Sequence, residues 1–242
     1  MIIDGEEINN HAAFSAVMNV AAWLISLIGS SGKIKHRSLI RKKILQMTIK
    51  TILFDFGGVI YKTPGKRWMT RFKDILNVED RPEIADMIAN PHKSDMVRDI
   101  CLGKRSEDSM WDLMADKWHV KPSVIKFFRR KMVSKRSLNK TILKLMKELG
   151  LNYQIGILSN AGDRSRALME DAFHLDRLVD EIIISAEEGV IKPDPKIYQI
   201  AMERLNTSPE RTLLIDDYLE NVQSARDFGM RAVQFIDTQQ AI

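Results

Sequence analysis

Thr51-Ile52-Leu53-Phe54-Asp55-Phe56-Gly57-Gly58-Val59-Ile60 is a short apolar run that ends in a carboxylate followed by two glycines. Four apolar or β-branched residues in succession suit a strand buried on both faces, as in the middle of a parallel sheet. Ligands of open α/β sheets sit just beyond the carboxyl ends of such strands, so Asp55 is placed where chemistry usually happens. An acid there is costly to bury unpaired, and a cation, a metal or a set of backbone N–H groups has to meet it. Gly57 and Gly58 let the backbone turn tightly enough to provide that.

Three later stretches have the same form. Residues 154–158 run into Ser159-Asn160, residues 181–184 are followed by Lys192-Pro193, and residues 212–215 run into Asp216-Asp217. Helical spacing at 139–149, 164–173, 195–205 and 219–228 alternates with these strands and with a further one at 231–236, which predicts a doubly wound α/β parallel sheet. In 139–149, Ile142, Leu143, Leu145, Met146 and Leu149 form the buried stripe and Gly150 stands at the C′ position. Between Ile60 and Leu138 the pattern is helical throughout. Apolar residues recur at helical spacing in 66–76, 81–89, 93–102, 107–118 and 122–132, with Asn90-Pro91 and Gly103 as turn signals. The expected organisation is an extension at 1–46, an α/β core at 47–61 and 137–242, and an inserted helical domain at 62–136.

The 242 residues are enough for one domain with a large insertion, and 45% hydrophobic against 29% charged residues describes an ordinary globular protein. The single cysteine, Cys101, forms no internal disulfide, and with five scattered histidines it offers no zinc constellation. That fits a reducing cytoplasm. The net charge of +5 is local: residues 1–50 hold seven Lys and Arg against three acids, and the rest holds thirty against twenty-nine. A near-neutral catalytic region argues against nucleic acid as a partner, because a phosphate backbone is met by clustered Lys and Arg.

Within the extension, residues 12–28 are apolar except for Ser15, Asn19 and Ser26, and Gly29-Ser30-Ser31-Gly32 and the basic run follow. Three readings stand: a membrane anchor with its cationic side cytoplasmic, a helix packed on the domain or a partner, and an upstream segment that is not part of the functional protein. A secretory signal fits poorly, since acidic residues precede the apolar run and basic ones follow it. Met47 would be a natural start for the bare domain. The expected location is cytoplasmic, with a membrane-associated form as the alternative.

An Asp, a hydroxyl, a Lys and paired acids at the ends of successive strands, in that chain order, resemble the motif set of the haloacid dehalogenase (HAD) superfamily over residues 47–242. The resemblance implies a Rossmann-like core with an all-helical cap of the C1 class, and a Mg²⁺-dependent phosphatase acting on a small phosphorylated metabolite such as a sugar phosphate. Asp55 would attack phosphorus and form an aspartyl-phosphate that water hydrolyses. Asp55, Asp216 and the backbone carbonyl of Gly57 would be the metal ligands. Asp217 and Asn221 would support them from behind or orient a water. Ser159, Asn160 and Lys192 would bind the phosphoryl group, with Lys192 neutralising its charge. Cap side chains would choose the substrate, and Tyr61, Lys62, Lys66, Arg67 and Trp68 lie near the hinge. Blander readings stand beside these: a helix N-cap for Ser159, a surface charge for Lys192 and a capping pair for the two aspartates.

This sequence departs from the family pattern at Gly57, where most phosphatases of the superfamily carry a second Asp as general acid and base. Three explanations follow. The substrate has a good leaving group, such as an anomeric sugar phosphate or an acyl phosphate; a cap residue or water replaces the acid; or the domain binds phosphoryl ligands without turning them over, as a regulatory module. A metal-independent dehalogenase, in which the carboxylate attacks carbon, is a further reading. The paired acids Asp216-Asp217 speak against it.

Overall fold

The five strands run parallel in one sheet of order β3-β2-β1-β4-β5, with β1 (Thr51–Phe54) at the centre, β2 (Gln154–Ser159) and β3 (Glu181–Ile184) on one side, and β4 (Thr212–Asp216) and β5 (Arg231–Gln234) on the other. The computed structural model describes residues 48–62, 94–116, 119–132 and 134–240. The apolar stretch 12–28 with its basic run, Met47, the expected helices at 66–76 and 81–89, and Lys66, Arg67 and Trp68 lie outside these residues. Among the described residues, no helix is long and apolar enough to cross a membrane.

Alternation along the strands fills two cores. Ile52, Phe54, Ile155, Ile157, Ile182, Ile184, Leu213 and Ile215 point to one face, and Leu53, Leu158, Ile183 and Leu214 to the other. Side chains two residues apart share a face. Because helices cover both faces, both sets must be apolar, and each strand reads as an uninterrupted run.

The helices follow in chain order. Between the first two strands come α1 (Asp95–Cys101), α2 (Glu107–Asp116), α3 (Pro122–Met132) and α4 (Lys140–Leu149). The Asn139 side chain accepts from the Ile142 N–H and caps α4, whose Ile142 and Met146 are fully buried. After β2 come α5 (Ser165–Ala167), α6 (Ser185–Glu188), α7 (Pro195–Arg204), started by an Asp194 cap with Pro at N1, and α8 (Leu219–Asp227).

Two local expectations are corrected. Gly150 ends α4 in the right-handed region (φ −61°), not as a left-handed C′ residue, because Leu151 and Asn152 continue the chain as a further turn bonded back to Glu148 and Leu149. The expected helix at 164–173 is a single α turn followed by a π turn, Leu168–Ala172. The Phe173 N–H bonds the Leu168 carbonyl at 3.1 Å, and the Phe173 ring stacks on Tyr61 and packs 6.4 Å from Phe56. Apolar burial of that ring offsets the poorer hydrogen-bond geometry of the wide turn.

Among the described residues between Lys62 and Lys135, the regular elements are helices. The chain enters and leaves this region side by side: Lys62 N–H donates to the Ser137 carbonyl, Asn139 N–H to the Ile60 carbonyl, and Tyr61 bridges Leu138. The helices also touch the core beyond these crossings. The Ser185 hydroxyl donates to the Cys101 carbonyl (2.6 Å), the Glu107 N–H to Asp163 Oδ1 (2.8 Å), and Asp108 pairs with both Arg129 and Arg164. Gly103 (φ 68°) allows the closest approach, since a Cβ there would lie 2.2 Å from the Ala186 carbonyl oxygen.

Candidate active site

Strand order places the acids. Crossovers run from β1 to β2 and β3 on one side and return to β4 and β5 on the other, so the sheet's switch point lies between the carboxyl ends of β1 and β4. Asp55 follows β1 and donates its N–H to the Ile215 carbonyl at 2.8 Å, while Asp216 is the last residue of β4. The two carboxylates therefore stand side by side in that crevice.

Lys192 lies between them. Its Nζ donates to Asp55 Oδ1 at 2.8 Å, to Asp216 Oδ2 at 2.6 Å and to the Leu158 carbonyl at 2.8 Å, which uses all three ammonium donors. With 3% exposure it is no surface charge. The Asn160 amide holds it in place: Oδ1 accepts the Lys192 N–H and Nδ2 donates to the Lys192 carbonyl, both at 2.8 Å. The following Lys192-Pro193 bond is cis, and the Ser224 hydroxyl donates to the Pro193 carbonyl.

Asp216 is fully buried and satisfied from its own loop. The Tyr218 N–H reaches Oδ1 at 2.8 Å, and Asn221 Nδ2 lies 3.1 and 3.2 Å from the two carboxylate oxygens. Behind it, the buried Tyr198 hydroxyl donates to the Asn221 carbonyl at 2.9 Å. Tyr198 escapes sequence reading because it occupies an ordinary core position of α7, and its polar end has no local signature. Asp217 is exposed, and its carboxylate closes a group in which oxygens of Asp55, Asp216 and Asp217 lie within 4.8 Å of one another. Position 58 must be glycine for this group to form: its φ is 78°, and a Cβ would lie 2.0 Å from Asp217 Oδ2.

Ser159 ends β2 beside Ile184 and is buried; α5 begins six residues later, so Ser159 caps no helix. Gly57 is exposed, and a Cβ there would have one neighbour within reach, Asp55 Oδ2 at 4.0 Å. Tyr61 packs at the crossings, and Lys62 is exposed.

Charge is unbalanced in this group. Burial lifts the Asp55 carboxyl from its ordinary 3.8 to about 7; Lys192 opposes the rise, and Asp216 and Asp217 add to it. Burial pulls the Lys192 ammonium down, but Asp55 and Asp216 outweigh it, so Lys192 is held above its ordinary range and stays charged. One ammonium thus faces three carboxylates. A set of hard oxygen donors short of positive charge fits a divalent cation such as Mg²⁺.

The family model for haloacid dehalogenase-like hydrolases matches residues 52–235. The chain belongs to that family. A glyceraldehyde 3-phosphate phosphatase from Pyrococcus furiosus is 32% identical over 123 residues, covering 49% of this chain and 50% of that protein. An (S)-2-haloacid dehalogenase from Burkholderia cepacia is 32% identical over 82 residues, 36% of its length, so the chain spans half or less of both relatives. A sesquiterpene phosphatase from Aspergillus oryzae is matched more fully, at 24% identity over 79% of this chain and 92% of that one. Among solved structures, a HAD family enzyme from Bacteroides thetaiotaomicron in complex with magnesium and inorganic phosphate superposes with a TM-score of 0.61 at 21% identity, over 77% of this chain and 93% of that one. At that identity the likeness shows the fold.

Proposed function

We propose that this hydrolase is a Mg²⁺-dependent phosphomonoesterase for a small metabolite, with sugar phosphates as the substrate class, working through an aspartyl-phosphate on Asp55. The observation that carries the reading is the bridge of Lys192 between Asp55 and Asp216 beside a third carboxylate. A buried ammonium is a good device for bringing a carboxylate nucleophile up to an anionic ester, because it offsets charge on both. Lys192 engages Asp55 Oδ1, while Oδ2 is the oxygen on the side of position 57. Ser159, at the end of the neighbouring strand, would donate to a phosphoryl oxygen. Asn160, whose amide is committed to the Lys192 main chain, would act through the placement of that lysine.

Asp55, Asp216 and the Gly57 carbonyl would hold Mg²⁺, with Asp217 and Asn221 supporting them. Bound there, the metal would supply the positive charge that the three carboxylates lack. The helices at 62–136 would act as the cap that covers the site and selects the substrate. Their hydrogen bonds with Asp163 and Ser185, and the close approach of Gly103 to Ala186, support that reading. Phosphate release from a panel of sugar phosphates and an activated aryl phosphate, with Mg²⁺ or with EDTA, is the test. Release is expected with Mg²⁺ and absent with EDTA; equal release in both would sink the metal-dependent reading.

Position 57 is expected to set which leaving groups are tolerated. Among the described residues, Lys192 already spends its three donors on Asp55, Asp216 and Leu158, and no side chain at position 57 can donate a proton. Gly57 lacks a positive φ and has open space around its Cβ direction, so an aspartate fits. Gly57→Asp is expected to raise kcat on a poor alkyl leaving group by roughly 10² or more, the contribution of a positioned proton donor. The same change should leave an aryl phosphate nearly untouched. Equal effects on both esters would show that leaving-group protonation is not what this position controls.

A further inference from the structure

Tyr61 stands where three parts of the molecule meet. Its N–H donates to the Phe56 carbonyl at 2.7 Å and its carbonyl accepts from the Gly58 N–H at 2.8 Å, so it closes the turn that contains Gly57. Its ring stacks on Phe56 (centroids 5.4 Å apart, 21° between planes) and on Phe173 (5.7 Å, 20°). Its hydroxyl accepts the Ser134 N–H at 3.3 Å, just beyond the end of α3, and its backbone bridges Leu138 on the returning chain. The ring thus packs against the residue after Asp55 and against the end of the π turn, while the hydroxyl holds the exit of the helical insertion.

We propose that Tyr61 is a positioning residue that sets the metal-binding turn and the placement of the helical insertion together. The inference rests on the Mg²⁺-phosphatase reading above. Main-chain bonds alone would close the turn around Gly57, but a turn of two glycines has little stiffness of its own. Stacking of three rings limits how far that turn can open. The hydroxyl then transmits any shift of the α3 end to the same turn. Partners behind metal ligands commonly tune affinity in this way without touching the metal.

Two variants of the full chain separate the ring from the hydroxyl. Tyr61→Leu removes both, and its Mg²⁺ affinity, measured by isothermal titration of the metal-free protein, is expected to fall on the order of tenfold or more. Tyr61→Phe keeps the stack and loses the hydrogen bond from the Ser134 N–H. Its Mg²⁺ affinity should match wild type, and its KM for a sugar phosphate should rise about fivefold. Wild-type Mg²⁺ affinity in folded Tyr61→Leu would overturn the inference, and if that variant does not fold, an unchanged sugar-phosphate KM in Tyr61→Phe would do so. Absence of Mg²⁺ binding by wild type would instead bring down the phosphatase reading, and this inference with it.

Discussion

Asp55→Asn is expected to abolish phosphate release, by at least about 10⁴-fold in kcat on every ester, because an amide cannot take the place of an attacking carboxylate. The same substitution should make the metal-free protein more stable at pH 8. The Asp55 carboxyl is raised from its ordinary 3.8 to about 7, chiefly by burial, so ionising it costs the folded state more than the unfolded chain. That cost is absent below the unfolded value, grows as pH rises, and is complete above about 7. Asparagine removes it, which corresponds to a gain on the order of 1 to 4 kcal/mol at pH 8 and almost none at pH 4. Thermal unfolding of both proteins in EDTA at the two pH values measures this. A variant that retains turnover would place the nucleophile elsewhere, and one that is less stable at pH 8 would show that the Lys192 contact outweighs the burial of the acid.

Lys192→Met should have the largest effect on stability. The side chain is 1% exposed and serves two buried carboxylates and a main-chain carbonyl. Methionine matches the length of its stem and removes the charge, leaving Asp55 and Asp216 facing one another without their shared cation. Breaking a buried ion pair from one side costs about 3 to 5 kcal/mol, which for a chain of this size lowers Tm by roughly 10 °C or more. The loss should be smaller at pH 5, where Asp55 can take up a proton, and Mg²⁺ should restore part of it at pH 8. Differential scanning calorimetry with and without Mg²⁺ reads all three effects. A fall of only a degree or two would mean that water replaces the ammonium at little cost, and that Lys192 serves the substrate more than the fold.

Both predictions depend on residues that the sequence already marks. Asp55, Ser159 and Asp216 are legible because each ends an apolar run, and Lys192 because it follows one at a short distance. A strand buried on both faces leaves that run, and a polar residue at its tip is conspicuous. The helices α2 and α3 are legible for a similar reason, since they record their burial as apolar residues at helical spacing. The Leu168–Ala172 π turn is different. Its sequence has the same helical spacing, and the Phe173 ring that follows it packs on Phe56 and Tyr61, more than a hundred positions away along the chain.

The sequence by itself therefore determined the α/β class and the strand segments, since local periodicity and strand-end polarity are written within each segment. Only the tertiary structure decided that Asp55 and Asp216 share one ammonium, which bonds residues 137 and 24 positions from it. It also decided that Asn160 is spent on the Lys192 main chain, that Asp217 needs a glycine at 58, and that Tyr198 and Tyr61 stand behind the acids and the turn. These contacts follow from strand order and loop geometry, where the chain meets distant parts of itself, and such meetings leave no period in the local pattern.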